Sequence, residues 1–237
     1  MRDPGGNVRA HFQSLADWLA ETPPARVAEK RREADLLFHR VGITFAVYGE
    51  EQGDERLIPF DIVPRVIPRS EWDSLERGLK QRVAALNRFL HDIYHDQEIL
   101  KAGKIPVDQV TKHNAYQPAM RGIDLPNGIY SNTAGIDLLR HDDGLWYVLE
   151  DNLRTPSGVS YMLENRKMML RLFPELFARQ QVLPVEQYPA LLLETLRASA
   201  PPRLRRDPSV VVLTPGQHNS AYFEHAFLAQ QMGVELV

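Results

Sequence analysis

The stretch from Gly135 to Ser160, GIDLLRHDDGLWYVLEDNLRTPSGVS, constrains the chain more than any other part of it. Two short apolar runs flank Asp143-Gly144, a dipeptide suited to a two-residue type I′ turn, in which both central positions need positive φ. Counting outward from that turn sets Asp142 against Leu145, Leu139 against Val148 and Asp137 against Glu150. Directly opposed residues of an antiparallel pair have Cβ atoms about 4.5–5.5 Å apart. Asn152, two residues beyond Glu150, points to the same face. Three oxygen-bearing side chains then share one patch. Neighbouring carboxylates repel unless a cation or proton lies between them. Hard oxygen donors suit Mg²⁺, which takes one or two carboxylates and completes its octahedron with water and substrate phosphate.

Register decides this reading. A four-residue turn over His141 to Gly144 would set Asp137 against Val148, with Asp137 and Glu150 still on one face. The same residues also fit a solvated hairpin edge with ordinary acids. The neighbours Ile136, Leu138, Leu139, Trp146, Tyr147, Val148 and Leu149 are strongly apolar. An acidic pair within such strands is costly unless something compensates it.

Before the hairpin the pattern is mostly helical. Residues 1–11 read as a loose leader. Phe12, Leu15, Ala16 and Leu19 recur at helical spacing, Thr22-Pro23-Pro24 breaks that helix, and Ala25 to Val41 forms the next. Ile43 to Tyr48 reads as a strand, with a return strand at Arg56 to Ile58. Pro59 to Pro68 holds three prolines within ten residues and must lie extended over the core. Ser70 opens a helix that runs to about Asp92, with Trp72, Leu75, Leu79, Val83, Leu86 and Leu90 buried. Residues 103–133 read as loop with weak helix.

After the hairpin, Ser160 to Phe173 is a helix with Met162, Leu163, Met169, Leu170 and Phe173 toward the core, and Pro184 to Ala198 is another. Ala200-Pro201-Pro202 and the basic residues after it mark a boundary. The chain thus reads as α/β, with α+β character in its first part. Residues 1–200 carry the hairpin, and residues 203–237 open a βαβ unit. There, Ser209 to Leu213 reads as a buried parallel strand and Ala221 to Met232 as a helix capped by Gly233. Val234 to Val237 begins a further strand.

Two loops carry groups able to bind ligands. Arg154, Ser157, Gly158 and Ser160 lie just before a helix whose N-terminal N–H groups attract anions, and Arg154 can bridge phosphate oxygens. Asn219 and Ser220 occupy a strand-to-helix corner, where α/β sheets bind ligands. Helix capping explains both loops equally simply.

Composition narrows the classes. No cysteine is present, which excludes disulfides, thiolate catalysis and cysteine-ligated zinc. A net charge of −3 gives no global field toward nucleic acid or an anionic membrane. No run of 18 apolar residues occurs, so the expectation is a soluble, cytoplasmic chain without membrane or nucleic-acid partners.

ITFAVYG, RLIPFDIVPRVI, QRVAALNRFLHDIY, GIDLLR, LEDNLRTPSGVSYMLENR and TPGQHNSAYFEH together resemble the circularly permuted ATP-grasp proteins related to glutathionylspermidine synthetase. The likeness runs from about Phe12 to Val237. It implies an ATP- and Mg²⁺-dependent ligase that joins a small-molecule or peptide carboxylate to an amine through an acyl phosphate. It also implies Asp137, Glu150 and Asn152 as magnesium ligands and places Ser157 and Ser160 in a loop on the substrate side. The resemblance to glutathionylspermidine synthetase implies a phosphate-binding arginine two residues before the first metal aspartate, a position that is Gly135 here. Either Arg121 or Arg154 then does that work, or it is not done.

Members are about twice this length, so the resemblance implies an N-terminal portion, incomplete at its C-terminus and inactive alone. An uncovered strand edge at Val234–Val237 would let such a portion self-associate. Two other classes compete with the ligase. A metal-dependent phosphodiesterase is disfavoured by Asn152 where lysine is typical. A non-catalytic nucleotide- or ligand-binding module is the other.

Overall fold

In the computed structural model the described residues are 1–41, 44–46, 55–57, 60–201, 203 and 206–237. In chain order the elements are α1 (Gln13–Glu21), α2 (Pro24–Val41), β1 (Thr44–Ala46), β2 (Glu55–Leu57), α3 (Arg69–Tyr94), α4 (Glu98–Lys101), α5 (Val107–Thr111), β3 (Gly135–Arg140), β4 (Trp146–Asn152), α6 (Val159–Leu172), α7 (Pro174–Arg179), α8 (Tyr188–Ala198), β5 (Val211–Val212), α9 (Tyr222–Met232) and β6 (Glu235–Leu236). Helix and strand are mixed. β1–β2 and β3–β4 are antiparallel pairs, and β5–β6 is a parallel pair. The expected strand over Ile43 to Tyr48 and its return strand pair where they are described. Residues 43, 47–54 and 58–59 lie outside the described residues.

The chain divides into two units that interleave along the sequence. One holds residues 1–68, 157–198 and 206–237; the other holds 69–156 and 199–205. In the first, Phe12, Leu15, Trp18, Ala34, Ile62, Leu172, Phe173 and Leu176 form one buried cluster. Ile62 enters it from the proline-rich segment, whose residues 60–68 form neither helix nor strand and bend at Ile62 and Val63. Lys30 donates to the Leu172 carbonyl at the C-terminal end of α6, at 2.5 Å, and its charge suits the negative end of a helix.

Several expectations for this unit are corrected. The leader is not loose: Arg2 bridges Val8, and the Asn7 amide donates to the Asp3 carboxylate at 2.8 Å. On α6, Met162 and Leu170 are exposed while Met168 is buried, so the buried stripe is Leu163, Met168 and Leu172. Pro174 starts a further short helix, α7, which hydrophobic spacing does not reveal. The run Ser209 to Leu213 is not a buried strand. Only Val211 and Val212 pair, and Val211 and Leu213 are exposed, because β5 has a single neighbouring strand.

In the second unit α3 begins at Arg69, one residue before the expected Ser70, and Arg69 donates to the Asp73 carboxylate at 2.7 Å. The expected buried stripe of α3 is corrected: Trp72 is 36% exposed, Leu75, Leu79, Val83, Leu86 and Leu90 are only half-buried, and the buried residues are Asn87, Ile93 and Tyr94. The loops over residues 103–133 carry α5 and two short 3₁₀ turns, as their prolines suggest. β3 and β4 form the hairpin that carries the acidic residues.

Candidate metal and phosphate site

The hairpin turn is one residue longer than the two-residue type I′ turn. His141 donates to the Leu145 carbonyl at 2.9 Å, and Gly144, at φ +81°, donates back to the His141 carbonyl at 2.9 Å. Asp142, Asp143 and Gly144 thus make a three-residue loop with glycine in the left-handed position. This shifts the near end of the ladder by one: Leu139 faces Tyr147, not Val148, and Asp142 does not face Leu145. Further along, the register shifts again between Asp137 and Leu138, with Leu149 as the extra residue on β4. The two one-residue shifts cancel, and Asp137 faces Glu150 as the sequence suggests.

Asp137, Glu150 and Asn152 are all exposed, and Asn152 Nδ2 donates to Glu150 Oε1 at 3.0 Å. The desolvation argument is therefore corrected: the acids lie on the open face of the hairpin, beside exposed Leu139, Tyr147 and Leu149. The opposite face, with Ile136, Leu138, Trp146, Val148 and Asp151, is less exposed. Two polar anchors tie that face to α3. Arg82 bonds both oxygens of Asp151, at 2.7 and 2.6 Å. Glu71 accepts from the Trp146 indole at 2.6 Å and meets Arg140 at 3.2 Å.

The Arg82 hydrogen bond holds the Asp151 carboxyl below the usual carboxylate range, against the opposing effect of burial. A carboxyl whose folded pKa is depressed stabilises the fold above its unfolded value, about 3.9. That contribution is lost as pH falls through the lower, folded value. The stability gap between wild type and Asp151→Asn should be constant from neutral pH to about pH 5 and close below about pH 4. A gap unchanged down to pH 2.5 in chemical denaturation would refute the assignment.

The loop after β4 is fixed by buried groups that the sequence does not single out. Asn87 Oδ1 accepts from the Tyr130 and Ser131 amides at 2.7 and 2.9 Å. The Ser131 hydroxyl then donates to the Leu153 carbonyl at 2.8 Å. Pro156 closes the loop against Gly135, where a Cβ would come within 2.7 Å of the proline Cβ. A side chain at position 135 has no room while Pro156 stays in place. Gly135→Ala should cost about 1–3 kcal/mol through overpacking. It should also move the amide resonances of Asn152 to Thr155, and wild-type stability with unmoved resonances would show that Pro156 yields freely.

Arg154 is exposed on this loop, two residues past Asn152, and Arg121 is exposed in a turn before the hairpin. Among the described residues, no ion pair or hydrogen bond joins either guanidinium to the acidic patch. Also among the described residues, no group of three or more histidine, aspartate and glutamate side chains could hold a metal ion. The patch offers two carboxylates and one carboxamide instead. That hard-oxygen set fits Mg²⁺, which commonly keeps water and phosphate as its other ligands.

The loop that opens α6 is organised by Glu224, a residue of the TPGQHNSAYFEH motif to which the sequence alone gives no role. Its carboxylate is buried and accepts the Gly158 amide at 2.9 and 2.8 Å and the Ser160 amide at 3.3 Å. The N–H groups that open α6 therefore already have an anion, supplied by the first turn of α9. Ser160 is fully buried, and its hydroxyl has no hydrogen-bond partner among the described residues; Ser157 is exposed. Asn219 Oδ1 accepts the Ala221 amide at 2.9 Å, a local turn leading into α9, and Ser220 stands beside it. Burial first, and the Glu224 charge second, push the Tyr161 and Tyr188 phenols above their ordinary value. No local pattern marks Glu224, because its donors lie 64 and 66 residues away.

Residues 64–237 match the model of a circularly permuted ATP-grasp family, and the chain belongs to that family. It is 50% identical over 232 residues to an uncharacterized protein of Synechocystis sp., covering 98% of this chain and 48% of that protein. It is 50% identical over 240 residues to an uncharacterized protein of Mycobacterium tuberculosis, covering 100% and 42%. It is 42% identical over 242 residues to a Frankia alni protein named "Putative glutamate--cysteine ligase 2-3", covering 99% and 27%. The chain thus spans less than half the length of these relatives. No helix among the described residues is long and apolar enough to cross a membrane.

Proposed function

We propose that this chain carries the metal-binding part of an ATP- and Mg²⁺-dependent carboxylate–amine ligase. The observation that carries the reading is the facing of Asp137 and Glu150 across the β3–β4 hairpin, with Asn152 on the same exposed face, in a chain of the circularly permuted ATP-grasp family. Asp137, Glu150 and Asn152 would hold Mg²⁺, which when bound neutralises charge on the ATP phosphates during transfer. The Asn152 amide, by donating to Glu150, orients one carboxylate and eases its repulsion with the other. Arg154, free of protein partners among the described residues, would take phosphate oxygens, and Arg121 is the second candidate for that task. Ser157, exposed at the loop, and Gly158, Asn219 and Ser220 would lie on the substrate side. The buried Ser160 would act only through its place in the loop.

The reaction supported is a two-step condensation. The substrate carboxylate oxygen attacks the γ-phosphorus of ATP and ADP leaves, giving an acyl phosphate. An amine nitrogen then attacks the acyl carbon, loses a proton and expels inorganic phosphate, leaving an amide. The Frankia relative's name makes glutamate the first carboxylate to try and cysteine the first amine. The test is hydroxylamine trapping with the full-length natural protein, ATP, Mg²⁺ and a panel of amino acids and small peptides. A hydroxamate formed only when ATP, Mg²⁺ and one carboxylate are all present supports the ligase. ATP binding without hydroxamate or ADP from any carboxylate would support a non-catalytic binding module instead.

A further inference from the structure

A cavity of about 820 Å³ lies within the second unit, between α3 and the segment from Asn127 to Ile136. We propose that it binds a small amphipathic carboxylate, with the apolar body against Leu79, Val83, Ile129 and Ile136 and the carboxylate on Arg88. The volume falls in the range of small-molecule sites, about 300–1,000 Å³, and such sites join apolar walls to a few polar groups.

Charge selects the ligand class. The charged or titratable residues lining the cavity are Lys80, Arg88 and His91, with no acid among them, in a chain of net charge −3. Lys80 is engaged by Glu76 at 3.0 Å, and His91 is stacked on His95 with ring centroids 4.0 Å apart. Arg88 is exposed and forms no ion pair or hydrogen bond among the described residues. A guanidinium matches a carboxylate through two parallel hydrogen bonds. The wall is already built: Asn87, buried on α3, holds the Tyr130 and Ser131 amides, and Asn127 and Gly128 turn the chain at positive φ. Little ordering cost then remains for binding.

This site is independent of the ligase reading. Successive residues of a strand face opposite sides. Ile136 points toward α3, while Asp137 is on the exposed face, so one strand separates the two sites.

The test is a titration of the ¹⁵N-labelled 237-residue chain with octanoate, and with 1-octanol as the neutral probe of equal length. Saturable shifts are expected at the amides of Asn127 to Ile129 and of Ile136, with octanol at least tenfold weaker. Arg88→Ala should weaken octanoate about tenfold, and Ala84→Trp, which fills the cavity, should abolish binding, both with unchanged circular dichroism. Equal affinity for octanol would overturn the carboxylate assignment. Shifts absent from these amides, or insensitive to both variants, would overturn the site. Shifts at the same amides on simple dilution of the unliganded chain would assign the cavity to contact with a second copy, and would also overturn it.

Discussion

Glu224→Ala is expected to destabilise the unit built from residues 1–68, 157–198 and 206–237 by about 3 kcal/mol. The carboxylate is buried and accepts from the amides of Gly158 and Ser160. Truncation leaves both donors unpaired, the Ser160 amide in a buried site and the Gly158 amide in a part-buried one, at about 1–3 kcal/mol for an unsatisfied buried group and less for a part-buried one. It also removes the anion that the N-terminus of α6 favours. Glu224→Gln should fall between wild type and alanine, because its carboxamide keeps one acceptor but turns a donor toward N–H groups. Urea denaturation gives the stabilities. Amide exchange at Gly158 and Ser160 gives the local effect, and both amides should exchange far faster in the alanine variant. A loss below about 0.5 kcal/mol with exchange unchanged would show that these hydrogen bonds contribute little.

Glu150→Gln should have the opposite signature. Glu150 is exposed, and Asp137 lies directly opposite it. Removing one of two facing charges relieves repulsion, so the chain without metal should keep its stability or gain a few tenths of a kcal/mol. On the proposed assignment, Mg²⁺ would then lose one of its two charged protein ligands. In the full-length protein ATP turnover should fall by at least about 10²-fold, the scale seen when a group that stabilises transition-state charge is removed. Stability held with activity lost separates this residue from Glu224, where stability itself falls. Unchanged turnover at saturating Mg²⁺ would remove Glu150 from the site.

These two glutamates also mark what the sequence reveals and what it hides. Glu150 is legible because strand alternation and a turn signal are local, and they place it against Asp137. The turn length itself is misread, and the match survives only because the bulge at Leu149 restores the register. Nothing local predicts such a bulge. Glu224 is invisible for the same reason as Asn87 and Arg82. Each acts on backbone or side chains far along the chain: Arg82 and Asp151 are 69 residues apart. Periodicity reports which face a residue occupies, not which partner it meets.

Burial is legible only where a helix packs on a continuous core. Phe12, just before α1, and Leu15 within it enter the core as their spacing suggests. The apolar run at Val211 fails, because an apolar sequence shows what can be buried and not whether a neighbour covers it. Gly135 is the reverse case. The sequence shows only a glycine, and the close approach of Pro156 supplies the physical reason for it.

The most direct test of the central claim is paramagnetic relaxation by Mn²⁺, substituted for Mg²⁺ and added with ATP to the ¹⁵N-labelled chain. Mn²⁺ broadens amides near its binding site, whatever the substrates are. Broadening should centre on Asp137, Glu150 and Asn152, reach Arg154, saturate with Mn²⁺, reverse with excess Mg²⁺ and vanish in Glu150→Gln. Broadening centred elsewhere, or persisting undiminished in Glu150→Gln, would contradict the assignment of this hairpin as the metal site.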